Sequence, residues 1–355
     1  MNRDLIFLLA IILWSCQSEP TNSEKTEQTP TISETYQKLQ GKTMGTYYNV
    51  TFDNPNNIDI QSAIDSLLLV VNNQVSTYIP TSVISVFNNP ESTVNLIQED
   101  DYNIHFRENY LISEDIVEKT DGAFDPTVMP LVNYWGFGYT EKKAVERVDS
   151  LKVQSLLETV GFNKVTVERN DKVWKMVKAN SKVQLDFSAI AKGYGVDKVG
   201  ELLSTKGIQN YYIDIGGECI MKGKSPRNSP WRIGINTPKV TANTTDFQQI
   251  VSLSDKAIAT SGNYRNYFEV DGKKYAHSIH PKTGFPEMTN LLSASVVADN
   301  CTIADAYATA LMIMGTDKAF EFASTHDDIE AYLIYSDDNG NLDVKYTEGF
   351  RDFLK

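Results

Sequence analysis

Histidine and cysteine are scarce: the 355-residue chain has four of the first and three of the second. Three cysteines cannot build a disulfide framework. His277 and His280 stand close in sequence without another His or Cys beside them, which excludes a zinc site of the usual spacing. Clustered positive charge is missing too. Lys and Arg number 33 against 46 Asp and Glu, a net charge of −13. No basic patch breaks that acidity, so a nucleic-acid partner is excluded. An acidic chain can hold an anionic ligand only where a metal, a lysine or backbone N–H groups neutralise it locally. No apolar run reaches the roughly 20 residues that cross a bilayer as a helix. Internal repeats are absent, as are the glycine spacings of a Walker A loop and of a Rossmann fingerprint.

What is present begins at the N-terminus. Arg3 precedes the apolar run 5–13, long enough for the core of a signal peptide. Leu13-Trp14-Ser15-Cys16 resembles a bacterial lipobox, in which cleavage before Cys16 exposes that cysteine for lipidation. Residues 17–36 are polar, rich in Pro, Ser, Thr and Glu, and bury too little apolar surface to offset their ordering entropy. The expected organisation is a signal peptide over 1–15, lipidated Cys16 and a flexible tether over 16–36, and one folded domain over 37–355. A lipid anchor places that domain in the cell envelope, outside the cytoplasm. Cys219 and Cys301 then read as two buried free thiols, with pairing left open.

The folded part mixes both periods without a regular strand–helix rhythm, which predicts an α+β domain with largely antiparallel sheets. Helical spacing of Ile60, Ile64, Leu67, Leu68 and Val71 predicts one helix. A second runs from about Phe106 towards a C′ glycine at Gly122, with Tyr110, Ile112, Ile116 and Val117 apolar and Ser113 the polar member of the stripe. Further helices are expected over about 147–160, 189–204 and 302–314. Strands are expected at 163–168 and 173–178 around Asn170-Asp171, and at 210–215. Hairpins are expected to close at Asp271-Gly272 and at Asp338-Asn339-Gly340.

Four clusters could carry chemistry. Asp305 and Thr309 lie four apart on the last helix, so a carboxylate and a hydroxyl share one face, an oxygen pair suited to a hard cation. The bland alternative is a surface aspartate and a threonine bonded to its own helix. In 185–195, LDFSAIAKGYG, a strand is expected to end at Phe187 and a helix to begin with Ser188 as N-cap. Lys192, one turn in, could reach an anion held at that helix start, and Gly193 and Gly195 permit close packing. Gly122-Ala123-Phe124-Asp125-Pro126-Thr127, followed by Trp135-Gly136-Phe137-Gly138, fits a loop able to sandwich a flat ring, or an aromatic turn covering the core. One of His277 and His280 could serve as a general base, although a lone histidine is more often structural.

In their order these segments resemble the ApbE family, the FAD:protein FMN transferases. The resemblance runs over about 40–315. It is carried by Thr43-Met44-Gly45-Thr46, Ser76-Thr77-Tyr78 before Ser82 and Phe87-Asn88, the Gly122–Thr127 segment, and Asp186-Phe187-Ser188-Ala189-Ile190-Ala191-Lys192-Gly193. It continues with Asp214-Ile215-Gly216-Gly217-Glu218, Thr260-Ser261-Gly262-Asn263-Tyr264, 277–284 (HSIHPKTG) and Ala304-Asp305-Ala306-Tyr307-Ala308-Thr309. The resemblance implies a single T-fold-related domain. It implies Mg²⁺ held by Asp305, Thr309 and the backbone carbonyl of Ala189. Met44, Tyr78, Ala123, Phe124, Asp125, Asp186, Lys192, His277 and Ile279 would line the FAD site, with His277 as the base and Asp305 also catalytic. His280 stands where family members commonly carry aspartate.

The activity so implied is transfer of FMN from FAD to a threonine of a target flavoprotein, with release of AMP. The targets would be subunits of membrane redox complexes on the same side as the tether. Two other readings share the site: an Mg²⁺-dependent FAD pyrophosphatase with water as nucleophile, and a non-catalytic FAD-binding lipoprotein.

Overall fold

A computed structural model gives residues 35–354, apart from 92, 99–102, 141–147, 170–172, 240–242, 244–245, 264–266, 271–272 and 288. The signal peptide, Cys16, the tether and the Asn170-Asp171 and Asp271-Gly272 turns lie outside the described residues. Among the described residues no helix is long and apolar enough to cross a membrane.

Period-two alternation builds the first hairpin. β1 (Tyr36–Thr43) and β2 (Thr46–Asp53) pair antiparallel, and β2 buries Tyr48, Val50 and Phe52 while the residues between them stay more open. The turn between them puts Met44 and Gly45 at φ 48° and 71°. The helical stripe Ile64, Leu68 and Val71 is buried on α1 (Gln61–Val75). Ser82 caps the short α2 (Val83–Phe87) through Ser85 N–H. After β3 (Val94–Gln98), α3 (Ile104–Lys119) buries Phe106, Tyr110, Ser113 and Ile116. α4 (Met129–Tyr134) follows an Asp-Pro turn, and α5 (Ser150–Leu157) is capped by Asp149. β4 (Val165–Arg169) and β5 (Val173–Lys178) complete a three-stranded sheet in the order β3-β5-β4.

The second half starts with α6 (Ala191–Thr205), β6 (Tyr211–Ile215) and β7 (Glu218–Lys222). A separate hairpin of β8 (Trp231–Asn236) and β9 (Phe247–Leu253) precedes β10 (Lys256–Gly262). Another joins β11 (Tyr267–Val270) to β12 (Lys273–Ala276), with Val270 opposite Lys273. The chain ends with β13 (Leu291–Ala298), α7 (Cys301–Met314), α8 (Thr316–Ser324), β14 (Ile329–Ser336) and β15 (Leu342–Tyr346).

Eight strands make the main sheet, in the order β1-β2-β6-β7-β10-β13-β14-β15, with every pairing antiparallel. Both faces are covered. Ala259, Ala294, Val296 and Leu333 join the cluster that includes the buried side of α7, while Ile258, Val297, Tyr332 and Ile334 join Trp231, Val251 and Leu253 of the β8–β9 hairpin. That two-sided burial explains why β13 reads LLSASVVA, an apolar run without clear alternation.

Several local expectations are corrected. Residues 183–187 run without strand pairing, and α6 starts at Ala191 with Ile190 at its cap position. Ser188 is not the N-cap; its N–H and hydroxyl both donate back to Asp186 Oδ1, an Asx-type turn in place of a cap. At the end of α3 the first left-handed residue is Asp121 (φ 48°), with Gly122 (φ 73°) next. Their N–H groups reach Glu118 and Val117 carbonyls at 3.2 and 2.9 Å, a Schellman pair displaced by one residue from the expected glycine cap. The helix expected over 147–160 is the shorter α5.

Candidate active site

α7 is the spine of the site. It is buried on nearly every side, with Ala304, Ala306, Ala308 and Ala310 keeping it slim enough for close neighbours. Its N-terminus is held twice. Asn300 Oδ1 accepts from Ile303 N–H, and Asp197 of α6 accepts from the Cys301 and Thr302 N–H groups, each at 2.8 Å. Burial pushes the Asp197 carboxyl up to about 6, against those hydrogen bonds. α6 and α7 touch at Gly193, where a Cβ would lie 2.3 Å from the Cys301 carbonyl oxygen and 2.9 Å from Asp305 Cβ.

This contact reshapes the start of α6. Gly193 N–H donates to Asp305 Oδ2 at 3.0 Å rather than to the Ala189 carbonyl one turn back. Ala189, whose carbonyl is left without that helical bond, lines the same cavity as Asp305 and Thr309. Thr309 Oγ1 lies 3.3 Å from Ser261 Oγ of β10. A carboxylate, a hydroxyl and a backbone carbonyl form a set of hard oxygens, which suits Mg²⁺ and not a soft transition metal. Among the described residues no group of three or more His, Cys, Asp and Glu is placed to hold a metal.

Beside Asp305 stands a buried charge cluster. Lys192 Nζ is 2.6 Å from Glu218 Oε1 and 3.8 Å from Asp305 Oδ1. Asp305 is 3% exposed and Glu218 5%. Burial works against the Lys192 ammonium, yet Asp305 and Glu218 more than offset it and its pKa is raised. Burial raises the Glu218 carboxyl, with Lys192 pulling the other way. Removing one partner of such a pair leaves a buried charge, at a cost of about 3–5 kcal/mol.

The cavity spans about 980 Å³. Tyr78, Ala123, Phe124, Asp125, Asp186, Ala189, Lys192, His277, Ile279, Asp305 and Thr309 all line it. Met44 does not: it packs against the two neighbouring core clusters, and its Cε would lie 2.9 Å from a Cβ on Gly195. Asp125 turns both carboxylate oxygens inward, to Thr127 and to Phe162 N–H, and burial raises its pKa. Burial raises Asp186 as well. The Tyr78 side chain is 66% exposed at the rim and edge-on to Tyr139, 6.4 Å between ring centres. Trp135 and Phe137 are also among the lining residues, Trp135 itself being buried.

His277 follows β12 and opens a tight loop in which Ile279 bridges Pro286 and Trp135 Nε1–H donates to the Gly284 carbonyl at 2.8 Å. Its ring lies 6.2 Å from that of Phe137. His280 points elsewhere, towards a second cavity bounded by Lys119 and Lys318, and its Nδ1 accepts from Lys282 N–H. Burial lowers the His280 pKa.

The chain matches the ApbE family model over residues 44–333. The chain belongs to the ApbE family. A relative from Haemophilus influenzae, named FAD:protein FMN transferase, is 37% identical over 337 residues, covering 94% of this chain and 92% of that protein. The solved flavin transferase ApbE from Vibrio cholerae superposes with a TM-score of 0.79 at 35% identity, covering 90% of this chain and 99% of that one. The apo flavinyl transferase ApbE of Pseudomonas stutzeri gives 0.78 at 30% identity, over 90% and 96%. The α+β ApbE architecture expected from the sequence is therefore observed.

Glu218 and Ser261 belong to motifs that carried the ApbE resemblance, yet sequence reasoning gave neither a role. The signal for Glu218 was a charged residue at an inward position of the apolar strand ECIMK. Ser261 carried only alternation, which does not say that its hydroxyl meets Thr309.

Proposed function

We propose that this ApbE-family chain is an Mg²⁺-dependent FAD:protein FMN transferase that attaches FMN to a threonine of a target flavoprotein and releases AMP. The observation that carries the reading is the convergence of Asp305, Thr309, Ala189 and Lys192 on one cavity large enough for a dinucleotide. The flavin ring is assigned to the part of the cavity lined by Tyr78, Phe124 and Phe137, where aromatic surface favours a flat ligand. The pyrophosphate then reaches the Lys192 and Asp305 end.

Asp305, Thr309 and the Ala189 carbonyl would hold Mg²⁺, which would supply charge neutralisation at the phosphoryl oxygens. Lys192 adds a second fixed positive charge there, already paid for by Glu218 and so kept ionised. The threonine oxygen bonds to the phosphorus on the riboflavin side, and the bond from that phosphorus to the bridging oxygen breaks. AMP leaves with the bridging oxygen. His277 takes the hydroxyl proton at the cavity wall. Replacing His277 with Asn is expected to slow transfer by about a hundredfold or more while FAD affinity changes little. Stopped-flow transfer and FAD fluorescence titration separate the two, and a pure affinity loss would remove the base role. The whole reaction is tested by following AMP: its release from FAD should need both Mg²⁺ and the acceptor, and acceptor-independent release would instead mark a pyrophosphatase.

The folded domain is proposed to sit on the outer side of a bacterial membrane, held by lipid on Cys16, beside acceptor subunits of membrane redox complexes. The lipobox-like Leu13-Trp14-Ser15-Cys16 and the polar stretch 17–36 support this. Cys16→Ser is expected to move the protein from the membrane to the soluble fraction on centrifugation of lysed cells; continued sedimentation with membranes would mean another anchor.

A further inference from the structure

Glu218 touches none of the reacting groups in that reading, yet it is the carboxylate in contact with Lys192. It opens β7 just after the Gly216-Gly217 turn, where both glycines have positive φ (67° and 109°), and it lines the cavity. One oxygen, Oε1, holds Lys192 Nζ at 2.6 Å. The other, Oε2, is buried with no hydrogen-bond partner. An ion pair serving only the fold would be expected to have both oxygens satisfied at such burial.

The distances around Lys192 are unequal in a way that matters. Nζ is in contact with Glu218 but stands 3.8 Å from Asp305 Oδ1, beyond the roughly 2.7–2.9 Å of a charge-assisted hydrogen bond. Asp305 Oδ2 is committed to Gly193 N–H, so Oδ1 is the oxygen open to a cation. An ammonium and a divalent cation want that same oxygen. A lysine freed from Glu218 needs to shift only about 1 Å to close on Oδ1.

We propose that Glu218 is a positioning residue that ties Lys192 back from Asp305, leaving Asp305 Oδ1 open to a divalent cation while the ammonium stays within the cavity. The inference rests on the reading that Asp305 holds such a cation. Glu218 acts through Lys192 and need not touch the flavin or the acceptor.

Mn²⁺ binding to the full-length chain, without FAD, tests this directly, because the electron paramagnetic resonance signal of free Mn²⁺ reports what remains unbound. Glu218→Gln is expected to raise the Mn²⁺ dissociation constant by about tenfold or more. The double variant Glu218→Gln with Lys192→Met has the net charge of the unaltered chain and removes the competing ammonium; it is expected to return to within about threefold of the unaltered value. Lys192→Met alone should bind Mn²⁺ at least as tightly as the unaltered chain. Unchanged Mn²⁺ affinity in Glu218→Gln would overturn the proposal, as would a double variant as weak as the single, or weaker binding by Lys192→Met. Failure of the unaltered chain to bind Mn²⁺ at all would contradict the cation reading itself, and the proposal with it.

Discussion

Replacing Asp305 with alanine is expected to lower FMN transfer by about a thousandfold or more while the protein still folds. The activity loss follows from the proposed cation site, whose only carboxylate this is. Survival of the fold follows from what surrounds the residue. Lys192 keeps Glu218 as its partner, so no uncompensated buried charge is left. Gly193 N–H loses Asp305 Oδ2 but stands one turn from the Ala189 carbonyl, the ordinary helical acceptor. The stability cost should therefore be about 1–2 kcal/mol, that of one altered buried hydrogen bond. Transfer rate and thermal unfolding measured on one preparation decide the matter. Activity that persists would remove Asp305 from the chemistry, and a chain that does not fold would place its role in the core.

Gly193→Ala should damage both stability and activity, against the direction that helix propensity predicts. Alanine inside a helix is favoured over glycine by about 1 kcal/mol. At Gly193 the new Cβ would meet backbone, at 2.3 Å from the Cys301 oxygen and 2.7 Å from its carbon, which cannot move without shifting α7. Overpacking of this kind costs about 1–3 kcal/mol. The shift would also pull Asp305 from Gly193 N–H and from Ala189, and a displacement near 1 Å can cost about a hundredfold in rate. Gly195 in the same helix is the internal comparison. Its Cβ would meet the Met44 Cε at 2.9 Å, the far end of a flexible side chain. Gly195→Ala should thus be mild, and equal effects of the two substitutions on unfolding temperature would contradict the close-approach argument.

Local periodicity made part of this fold legible. The stripes on α1 and α3, the helices α6 and α7, strand β6 and the β4–β5, β11–β12 and β14–β15 hairpins all follow from residues near one another in sequence. The sheet order does not. β2 lies beside β6 and β7 beside β10, pairings between distant segments that carry no local signal. β13 escaped because both of its faces are buried, which erases alternation. β1 escaped for the opposite reason: as an edge strand it exposes Gln37, Lys38 and Gln40 and offers little apolar pattern. Ser188 was misplaced because its side chain had two competing uses, and the turn back to Asp186 won.

The site was legible in pieces. The four-residue spacing of Asp305 and Thr309 states that they share a helix face, and the structure puts them on one cavity. The spacing cannot state that Gly193 diverts its N–H to Asp305, because that depends on two helices packed across 112 residues of chain. Glu218 is the sharper lesson. A lone glutamate in an apolar strand is a burial anomaly, and its meaning appears only once Lys192 is seen to be its partner.

The most direct test of the function is the mass of an acceptor. A threonine-containing domain from a membrane flavoprotein of the same source would be incubated with the full-length chain, FAD and Mg²⁺. The proposed activity predicts a gain of one FMN on the acceptor, located on a threonine, with equimolar AMP and none of either in chelator. AMP and free FMN with an unmodified acceptor would contradict it and leave a pyrophosphatase.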